Sequence, residues 1–335
     1  MKRPSPARTK LLICVWHPFT LWMPPAKVAL HLRKLWPEMN VVHRPTYDGL
    51  EEGIADADIF VGWALQPGQF RHARKLKWIH STAAGVAQLM YPELRESGVV
   101  VTNASGIHTN PMAEHILGML VALARHFPSA FRHQMECRWA QQEIWDQPLR
   151  PRELMGQVLL VVGFGAVGRE LARRLKPLGM KIWAVTRSGK GDGRLADRIL
   201  PASQLEEVLP EADFVVLAAP ETPETYHLIG PRQLQAMKPT AFLINVARGS
   251  LVDEAALLET LRRRAIAGAA LDVTEQEPLP PDSPLWELDN IFITPHISAV
   301  SESLWDRQTE LLVRNLERWF SGRKLLNRVD LARGY

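Results

Sequence analysis

Glycines with a spacing suited to phosphate binding interrupt the chain between an apolar run and a helical pattern. Gly163, Gly165 and Gly168 have the spacing G-x-G-x-x-G and directly follow the run Val158–Val162. Such glycines permit a tight turn, a close approach of the backbone to a pyrophosphate, and close packing of helix against strand. The N–H groups of the following helix then face the phosphates. Because a strand pattern precedes the glycines and a helix pattern follows them, the motif predicts a dinucleotide site.

The next apolar run, Lys181–Val185, leads to the residues that indicate which dinucleotide is bound. NAD sites place Asp or Glu at the end of this strand to meet the ribose 2′-hydroxyl, whereas a nearby Arg accommodates the 2′-phosphate of NADP. Here Thr186 stands at that place, Arg187 and Ser188 follow, and the first carboxylate is Asp192. The sequence therefore favours NADP(H), with NAD(H) as the other candidate. The alternative is that these residues form only a solvated basic loop.

Three side chains able to perform acid–base chemistry or bind an anion each follow a predicted strand, and they are Arg248, Glu277 and His296. An Arg can hold a carboxylate through two hydrogen bonds, a His can donate a proton near neutral pH, and a carboxylate can orient that His. Ligands of open α/β sheets bind outside the carboxyl ends of the strands. Each residue alone also fits an ordinary surface loop. Their common placement beside a dinucleotide motif predicts a catalytic group.

Alternating strand and helix patterns must position these side chains. Short apolar runs separated by helical stretches and turns are typical of parallel sheets with crossover helices. The predicted strands are Leu11–Trp16, Val41–His43, Ile59–Gly62, Trp78–His80, Val99–Thr102, Val158–Val162, Lys181–Val185, Phe214–Ala218, Ala241–Asn245, Gly268–Asp272 and Ile291–Thr294. A buried helix over Asn110–Arg125 separates two sets of strands, and an amphipathic helix over Ser301–Phe320 follows the second set. The fold class is therefore α/β, with two doubly wound parallel-sheet domains.

Composition narrows the class of protein. The chain has 335 residues, which suggests about two domains, and its 46% apolar and 23% charged residues are typical of a globular protein. A formal net charge of +4 without a basic recognition module argues against nucleic-acid binding. The basic segment 1–10 is predicted to be a frayed tail. Two cysteines and the lack of a long apolar stretch predict a cytoplasmic protein with no membrane span. No metal site is predicted.

Between Ile59 and Val329 the sequence resembles the D-isomer-specific 2-hydroxyacid dehydrogenase family, because several family motifs occur in order. They are Ala83-Ala-Gly-Val86, Met112-Ala-Glu-His115, Gly163-Phe-Gly-Ala-Val-Gly168, Asn245-Val-Ala-Arg248-Gly, Asp272-Val-Thr-Glu-Gln-Glu277-Pro278 and Pro295-His296-Ile-Ser298. The departures are modest: Thr186 replaces the usual acid, and Ala218-Ala219 precedes Pro220. The resemblance implies a flavodoxin-like substrate-binding domain over residues 1–108 and 298–335, and a Rossmann dinucleotide-binding domain over 109–297. It also implies a homodimer.

The resemblance further implies the roles of individual residues. Arg248, Glu277 and His296 form the catalytic group, and backbone N–H groups near Ala84 and Gly85 hold the substrate carboxylate. The full substrate-binding set comprises Trp63, Ala84, Gly85, Val86 and Arg248. The cofactor-binding set comprises Gly163, Phe164, Gly165, Ala166, Val167, Gly168, Thr186, Arg187, Ser188, Pro220, Thr225, Val246, Ala247, Asp272, His296 and Ser298. Within that set, Asp272 is assigned to the nicotinamide carboxamide, and Pro220 and Thr225 line the cofactor.

The predicted reaction is the NAD(P)H-dependent reduction of a small 2-oxo acid to the D-2-hydroxy acid, with NADPH preferred and His296 as the proton donor. Glyoxylate, hydroxypyruvate or a similar short oxo acid is the expected substrate. Formate is disfavoured, because the similar formate dehydrogenases have Gln at the position of Glu277. The alternative function is a regulatory or scaffold protein that senses a dinucleotide on the dehydrogenase fold. Intact catalytic residues do not exclude that alternative.

Overall fold

The structure, a computed structural model, describes residues 4–332. The chain forms two compact units. Residues up to Ile107, together with those from Val300 onward, make the first unit, and His108–Ala299 makes the second. The sequence had placed the division after residue 108 and before residue 298. Within the described residues, no helix is both long enough and apolar enough to span a membrane.

The first unit contains a five-stranded parallel sheet. Its strands are β1 (Lys10–Cys14), β2 (Asn40–Arg44), β3 (Ile59–Gly62), β4 (Trp78–Ser81) and β5 (Val100–Thr102). Its first helices are α1 (Ala26–Leu35), α2 (Leu50–Ile54), α3 (Pro67–Phe70) and α4 (Pro92–Glu96). The strand order β2-β1-β3-β4-β5 is that of flavodoxin-like folds, which confirms the predicted architecture of this unit.

The second unit contains a seven-stranded parallel sheet. Its strands are β6 (Val158–Val162), β7 (Lys181–Thr186), β8 (Arg198–Pro201), β9 (Phe214–Leu217), β10 (Phe242–Asn245), β11 (Gly268–Leu271) and β12 (Ile291–Ile293). Its helices are α5 (Thr109–Ala124), α6 (Phe127–Met135), α7 (Gln141–Trp145), α8 (Ala166–Leu175), α9 (Leu205–Val208), α10 (Pro231–Ala236) and α11 (Glu254–Arg262). The order β12-β11-β10-β9-β6-β7-β8 is the Rossmann order with one further strand.

The strands of the second sheet are apolar because both of their faces are covered. Leu160 and Val162 of β6 belong to one core cluster, whereas Leu159 and Val161 belong to the cluster on the opposite face. Alternate residues of a strand point to opposite faces, so a strand covered on both sides has no polar positions to offer. The continuous apolar runs of the sequence are therefore the direct signature of this sheet.

The last helix, α12 (Leu304–Ser321), is part of the first unit. Its Leu312 and Leu316 are buried in the same core cluster as Leu11 of β1 and Val28 of α1. The predicted amphipathic helix is thus present, and its apolar face covers the first sheet. The apolar positions recur at the spacing expected for one side of a helix.

Two sequence-based predictions were wrong. The strand β8 was not predicted, because only Ile199 and Leu200 are apolar in it, and Pro201 ends it at the edge of the sheet. The basic segment was predicted to be a frayed tail, but Lys10 begins β1 and Thr9 is buried, with its hydroxyl donating to the carbonyl oxygen of Ser5 at 2.8 Å. Residues 1–3 of that predicted tail lie outside the described residues.

Candidate active site

The turn between β6 and α8 has the geometry that a dinucleotide requires. Gly163 has a φ of +96°, and a Cβ there would lie 2.4 Å from the backbone nitrogen of Ala219. A Cβ on Gly168 would lie 2.6 Å from the carbonyl oxygen of Gly163. A Cβ on Gly165, in contrast, would meet no atom within 4 Å. The first and third glycines are thus required by packing, whereas the second borders open space at the start of α8, where the motif predicts the pyrophosphate.

The end of β7 carries no carboxylate. Thr186 is its last residue, and its hydroxyl donates to the carbonyl oxygen of Lys190 at 3.1 Å, while Arg187 and Ser188 are exposed. Asp192 is held by Arg194, whose guanidinium donates to it at 2.8 and 2.9 Å. These hydrogen bonds lower the pKa of Asp192 to about 2. Asp192 is therefore engaged within its own loop.

An acidic residue near Arg187 was missed in the sequence. The pKa of Glu224 lies below its usual value, mainly because of a hydrogen bond from Thr222 and in part because of the positive charge of Arg187. Glu224 belongs to the loop after β9, which also holds two predicted cofactor residues, Pro220 and Thr225. The hydroxyl of Thr225 donates to the carbonyl oxygen of Pro220 at 2.8 Å. The sequence gives no sign of this effect of Arg187 on Glu224, because the two residues are 37 positions apart in the chain.

The loop after β10 presents Arg248. The buried side chain of Asn245 accepts from the N–H of Ala247 at 3.0 Å and donates to the carbonyl oxygen of Arg248 at 2.9 Å. Asn245 thereby fixes the course of the loop, while Arg248 itself is exposed. A Cβ on Gly249 would lie only 2.0 Å from the carbonyl group of Thr274, so this loop lies directly against the loop that follows β11. Only glycine fits at that contact.

Glu277 and His296 form a hydrogen-bonded pair. Oε2 of Glu277 lies 2.6 Å from Nδ1 of His296, and Oε1 accepts from the N–H of Thr274 at 3.1 Å. Burial raises the pKa of Glu277, but other effects outweigh burial, and the pKa lies below its usual value. These effects are the hydrogen bond and charge of His296, the N–H of Thr274 and the charge of Arg248. Glu277 is therefore ionised at neutral pH, and Nδ1 of His296 carries a proton.

The backbone around His296 turns its ring toward Glu277. His296 has a φ of +52°, a left-handed conformation that is uncommon for residues other than glycine. Its N–H donates to the carbonyl oxygens of Asp272 at 2.9 Å and Thr294 at 3.0 Å. Among residues 4–332, Nε2 of His296 has no hydrogen-bond partner, and the side chain is 42% exposed. Nε2 is thus the ring atom available to a substrate.

Asp272 lies below this loop and not at its surface. Its carboxylate, which is 0% exposed, accepts from the hydroxyl of Thr294 at 2.6 Å and from the N–H groups of Ile297 at 2.9 Å and Ser298 at 3.0 Å. The predicted contact of Asp272 with a nicotinamide carboxamide stays a prediction. What the structure shows is that Asp272 and the backbone of Ser298 anchor the chain on both sides of His296.

Other predicted residues differ in how much of the side chain is accessible. Val246 and Ala247 are buried between Asn245 and Arg248, and Phe164 is buried in the core, whereas Ala166 is exposed and Val167 is half-buried at the start of α8. These residues lie in the second unit, together with Arg248, Glu277 and His296. The carbonyl oxygen of Phe164 accepts from the guanidinium of Arg169 at 3.2 Å.

The predicted carboxylate-binding residues lie in the first unit, in the loop after β4. Ala84 and Gly85 are exposed, and Val86 is buried. Within the described part of the chain, the N–H groups of these three residues take part in no hydrogen bond, so they are available to an anion. Trp63 directly follows β3, the neighbouring strand, and is 45% exposed. Their roles stay predictions.

Comparisons with known proteins show which family the chain belongs to. Residues 117–298 match the family model described as D-isomer specific 2-hydroxyacid dehydrogenase, NAD binding domain. The chain is 36% identical over 278 residues to a glyoxylate reductase of Korarchaeum cryptofilum. The aligned region covers 81% of this chain and 82% of the relative.

Two solved structures resemble the whole fold. A D-isomer specific 2-hydroxyacid dehydrogenase family protein from Aeromonas salmonicida subsp. salmonicida has a TM-score of 0.79 at 32% identity, covering 97% of this chain and 99% of that one. The second structure is a D-isomer specific 2-hydroxyacid dehydrogenase from Xanthobacter autotrophicus in complex with NADPH and MES. It has a TM-score of 0.81 at 30% identity, with 98% and 100% covered.

Proposed function

Because the chain belongs to the D-isomer-specific 2-hydroxyacid dehydrogenase family, we propose that it reduces a small 2-oxo acid to the D-2-hydroxy acid with His296 as the proton donor. The observation that carries this proposal is the 2.6 Å hydrogen bond between Glu277 and His296 at the ends of adjacent strands of the Rossmann sheet. A His paired with a carboxylate is the usual arrangement of a general acid near neutral pH.

The proton is delivered from Nε2 of His296. Glu277 accepts from Nδ1 and stays ionised, so it stabilises the protonated ring and fixes the orientation of Nε2. The β6–α8 turn would hold a nicotinamide dinucleotide, which would supply the hydride when bound. Negative charge then develops on the keto oxygen, where the proton from Nε2 neutralises it. Glu277 keeps its hydrogen bond throughout.

Arg248 is proposed to bind and polarise the substrate. Its guanidinium is exposed, and its charge acts on Glu277, so it lies beside the catalytic pair. A guanidinium can form two parallel hydrogen bonds to a carboxylate or to neighbouring carboxylate and keto oxygens. We propose the free N–H groups of Ala84, Gly85 and Val86 as further donors to the substrate carboxylate.

NADPH is the proposed cofactor, with NADH as the weaker one. Three features support this preference for NADPH. Thr186 stands where NAD sites have Asp or Glu, Arg187 and Ser188 are exposed, and the Xanthobacter relative was solved in complex with NADPH. Glu224 acts against the preference, because its negative charge lies near Arg187. Side-by-side kcat/KM values for NADPH and NADH test the proposal, and equal values would refute the preference.

The proposed substrate is glyoxylate, hydroxypyruvate or a similar short oxo acid. The glyoxylate reductase of Korarchaeum cryptofilum supports this class. The test is turnover of the purified protein with NADPH and a series of 2-oxo acids that differ only in the length of the side chain. Highest kcat/KM for the shortest acids is the expected result. Failure to reduce any 2-oxo acid with either cofactor would refute the proposed reaction.

A homodimer is proposed through the second unit. Phe127, Phe131 and Met135 recur every fourth residue along α6 and are 43%, 57% and 85% exposed, and Trp139 beyond the helix is 91% exposed. Residues spaced by four share one side of a helix. An apolar surface of this kind marks an interaction site.

We also propose a cytoplasmic location, since Cys14 and Cys137 are both free thiols.

A further inference from the structure

His115 lies in the motif Met112-Ala-Glu-His115, to which the proposed reaction assigns no role. It is on α5, and its neighbours Ala113 and Ile116 are fully buried in the core on one face of the Rossmann sheet. Its ring is 20% exposed, with Nε2 at 3.0 Å from the hydroxyl of Thr294 and 3.7 Å from the carboxylate of Asp272. His115 therefore contacts Thr294, two residues before His296 in the chain, and lies near Asp272, whose carboxylate is buried beneath the His296 loop.

The number of available protons decides the direction of these hydrogen bonds. The hydroxyl of Thr294 has one proton, and it donates that proton to the carboxylate of Asp272 at 2.6 Å. The same oxygen must then accept from His115, so Nε2 of His115 carries a proton. Burial lowers the pKa of His115, although the charge of Asp272 opposes this effect. The resulting chain of donors runs from His115 through Thr294 to Asp272.

This chain ends at the backbone that holds His296. The carboxylate of Asp272 accepts from the N–H groups of Ile297 and Ser298, and the backbone oxygen of Asp272 accepts from the N–H of His296. A left-handed conformation at a residue such as His296 costs free energy and persists only where the surroundings enforce it. Hydrogen bonds in a buried chain polarise one another, so the first donor strengthens the later ones.

We propose that His115 is a positioning residue for proton transfer, which holds the His296 loop in place through Thr294 and Asp272. The inference rests on the proposed function, because it assigns His296 to the proton transfer. A small displacement of a catalytic group is enough to lower the rate of the chemical step greatly.

The test compares three variants of the full-length protein. His115→Leu removes the donor, whereas His115→Gln places an amide N–H near the position of Nε2. His133→Leu is the matched control, because His133 on α6 has the same 20% exposure in the same unit, but its ring lies 3.8 Å from Glu136, the residue after α6, and not beside Thr294. The measurements are kcat, the dissociation constant of NADPH, and amide hydrogen exchange at Ile297 and Ser298.

In His115→Leu, we expect kcat to fall about ten- to a hundredfold and the exchange of both amides to accelerate. NADPH affinity should fall less than kcat, although Asp272 and Ser298 are also predicted cofactor residues. The Gln variant and the His133 control should keep wild-type values. If His115→Leu does not fold, Thr294→Val interrupts the same chain with a side chain of similar shape, and the same results are expected of it.

If amide exchange at Ile297 and Ser298 is unchanged in His115→Leu, the inference is overturned. It is also overturned if the wild type is active and His115→Leu has the same kcat. The failure of the proposed function looks different. In that case, the wild type reduces no 2-oxo acid with either cofactor, and the exchange data alone then decide whether His115 holds the loop.

Discussion

At the scale of single residues, the pairing of Nδ1 of His296 with Glu277 decides which nitrogen of the ring can act on a substrate. With Nδ1 engaged at 2.6 Å, only Nε2 remains for proton transfer. A second pair in the same unit has a similar composition: His227 lies 2.8 Å from Glu275 and also has a positive φ, of 48°. It provides a control that separates catalysis from the general effect of removing a His–Glu pair.

Replacing His296 by Asn should lower the rate of 2-oxo acid reduction by about 10²–10⁴-fold, the usual contribution of general acid catalysis. Asn tolerates the left-handed backbone at this position, so we expect the fold to be kept. The dissociation constant of NADPH, measured by fluorescence titration, should change little. The control is His227→Asn, whose kcat should stay within about twofold of wild type. A His296→Asn enzyme with near-normal turnover would show that another group donates the proton.

The rate of reduction should fall as pH rises, because each turnover uses the proton on Nε2 of His296, and oxidation of the hydroxy acid should show the opposite trend. Glu277 remains ionised across this range, since its pKa is below its usual value. Glu277→Gln removes that negative charge and should move the decline of the reductive kcat/KM to lower pH. Profiles are measured with a deuterated cofactor to verify that hydride transfer limits the rate. Identical profiles for wild type and variant would contradict the role of Glu277.

At the scale of elements, the two turns that follow β6 and β7 define the cofactor site. The first turn is shaped by packing at Gly163 and Gly168 and leaves space at Gly165. The second turn sets the charge near the ribose through Thr186 and Arg187. Shape and charge are thus separate properties of neighbouring elements, and each can be changed alone.

Gly165→Ala should abolish most cofactor binding without lowering the melting temperature. The added Cβ meets no protein atom within 4 Å, so folding is not disturbed, but it occupies the space where the backbone approaches a pyrophosphate. Gly118→Ala in α5 is the control, because a Cβ there also meets no atom. Titration with NADPH and thermal unfolding are measured for both variants. Equal NADPH affinity in the wild type and Gly165→Ala would place the pyrophosphate elsewhere.

Thr186→Asp combined with Arg187→Ala should reverse the cofactor preference. A hydrogen bond to a charged group contributes about 1.5–3 kcal/mol, and about 1.4 kcal/mol corresponds to a tenfold change. We therefore expect the wild type to prefer NADPH by about one to two orders of magnitude. Glu224→Gln should increase that preference, since it removes the acid whose charge interacts with Arg187. The readout is the ratio of kcat/KM values for the two cofactors, and an unchanged ratio in the double variant would refute the assignment.

At the scale of the whole molecule, the exposed apolar side of α6 needs an explanation, because monomeric proteins rarely expose such a continuous surface. Phe127 and Phe131 are close enough for ring contact, with centroids 6.1 Å apart, and Met135 extends the surface by one turn. A second copy of the chain is the proposed partner. Leu30 on α1 is 60% exposed, about as much as Phe131, but it is not part of the apolar side of α6, so it can serve as a control.

Phe131→Glu should convert the proposed dimer into a monomer, because it introduces a charge into the centre of this apolar side. Leu30→Glu should leave the oligomeric state unchanged. Both are measured by analytical ultracentrifugation over a range of protein concentrations. A wild-type protein that is monomeric throughout, or a Phe131→Glu variant that remains dimeric, would show that α6 is not the interface.

The local elements and the chemistry at their ends could be predicted from the amino-acid sequence. Continuous apolar runs identify strands covered on both faces, so β6 and β10 were predicted almost to the residue. Gly163 and Gly168 were predicted with their structural reasons, because tight turns and close contacts leave few alternatives to glycine. The strand β8 was missed because an edge strand is covered less and needs fewer apolar residues.

The contacts between residues distant in the chain could not be predicted in this way, because they depend on how the elements pack. The order β12-β11-β10 brings the ends of three strands together, and the left-handed backbone of His296 then turns its ring to Glu277. The local sequence likewise gave no signal for three other features. These are the burial of Asp272, its connection to His115 through Thr294, and the effect of Arg187 on the pKa of Glu224. The physical reason is that apolar periodicity records whether a residue is covered, whereas hydrogen bonds and charge interactions depend on which distant segment covers it.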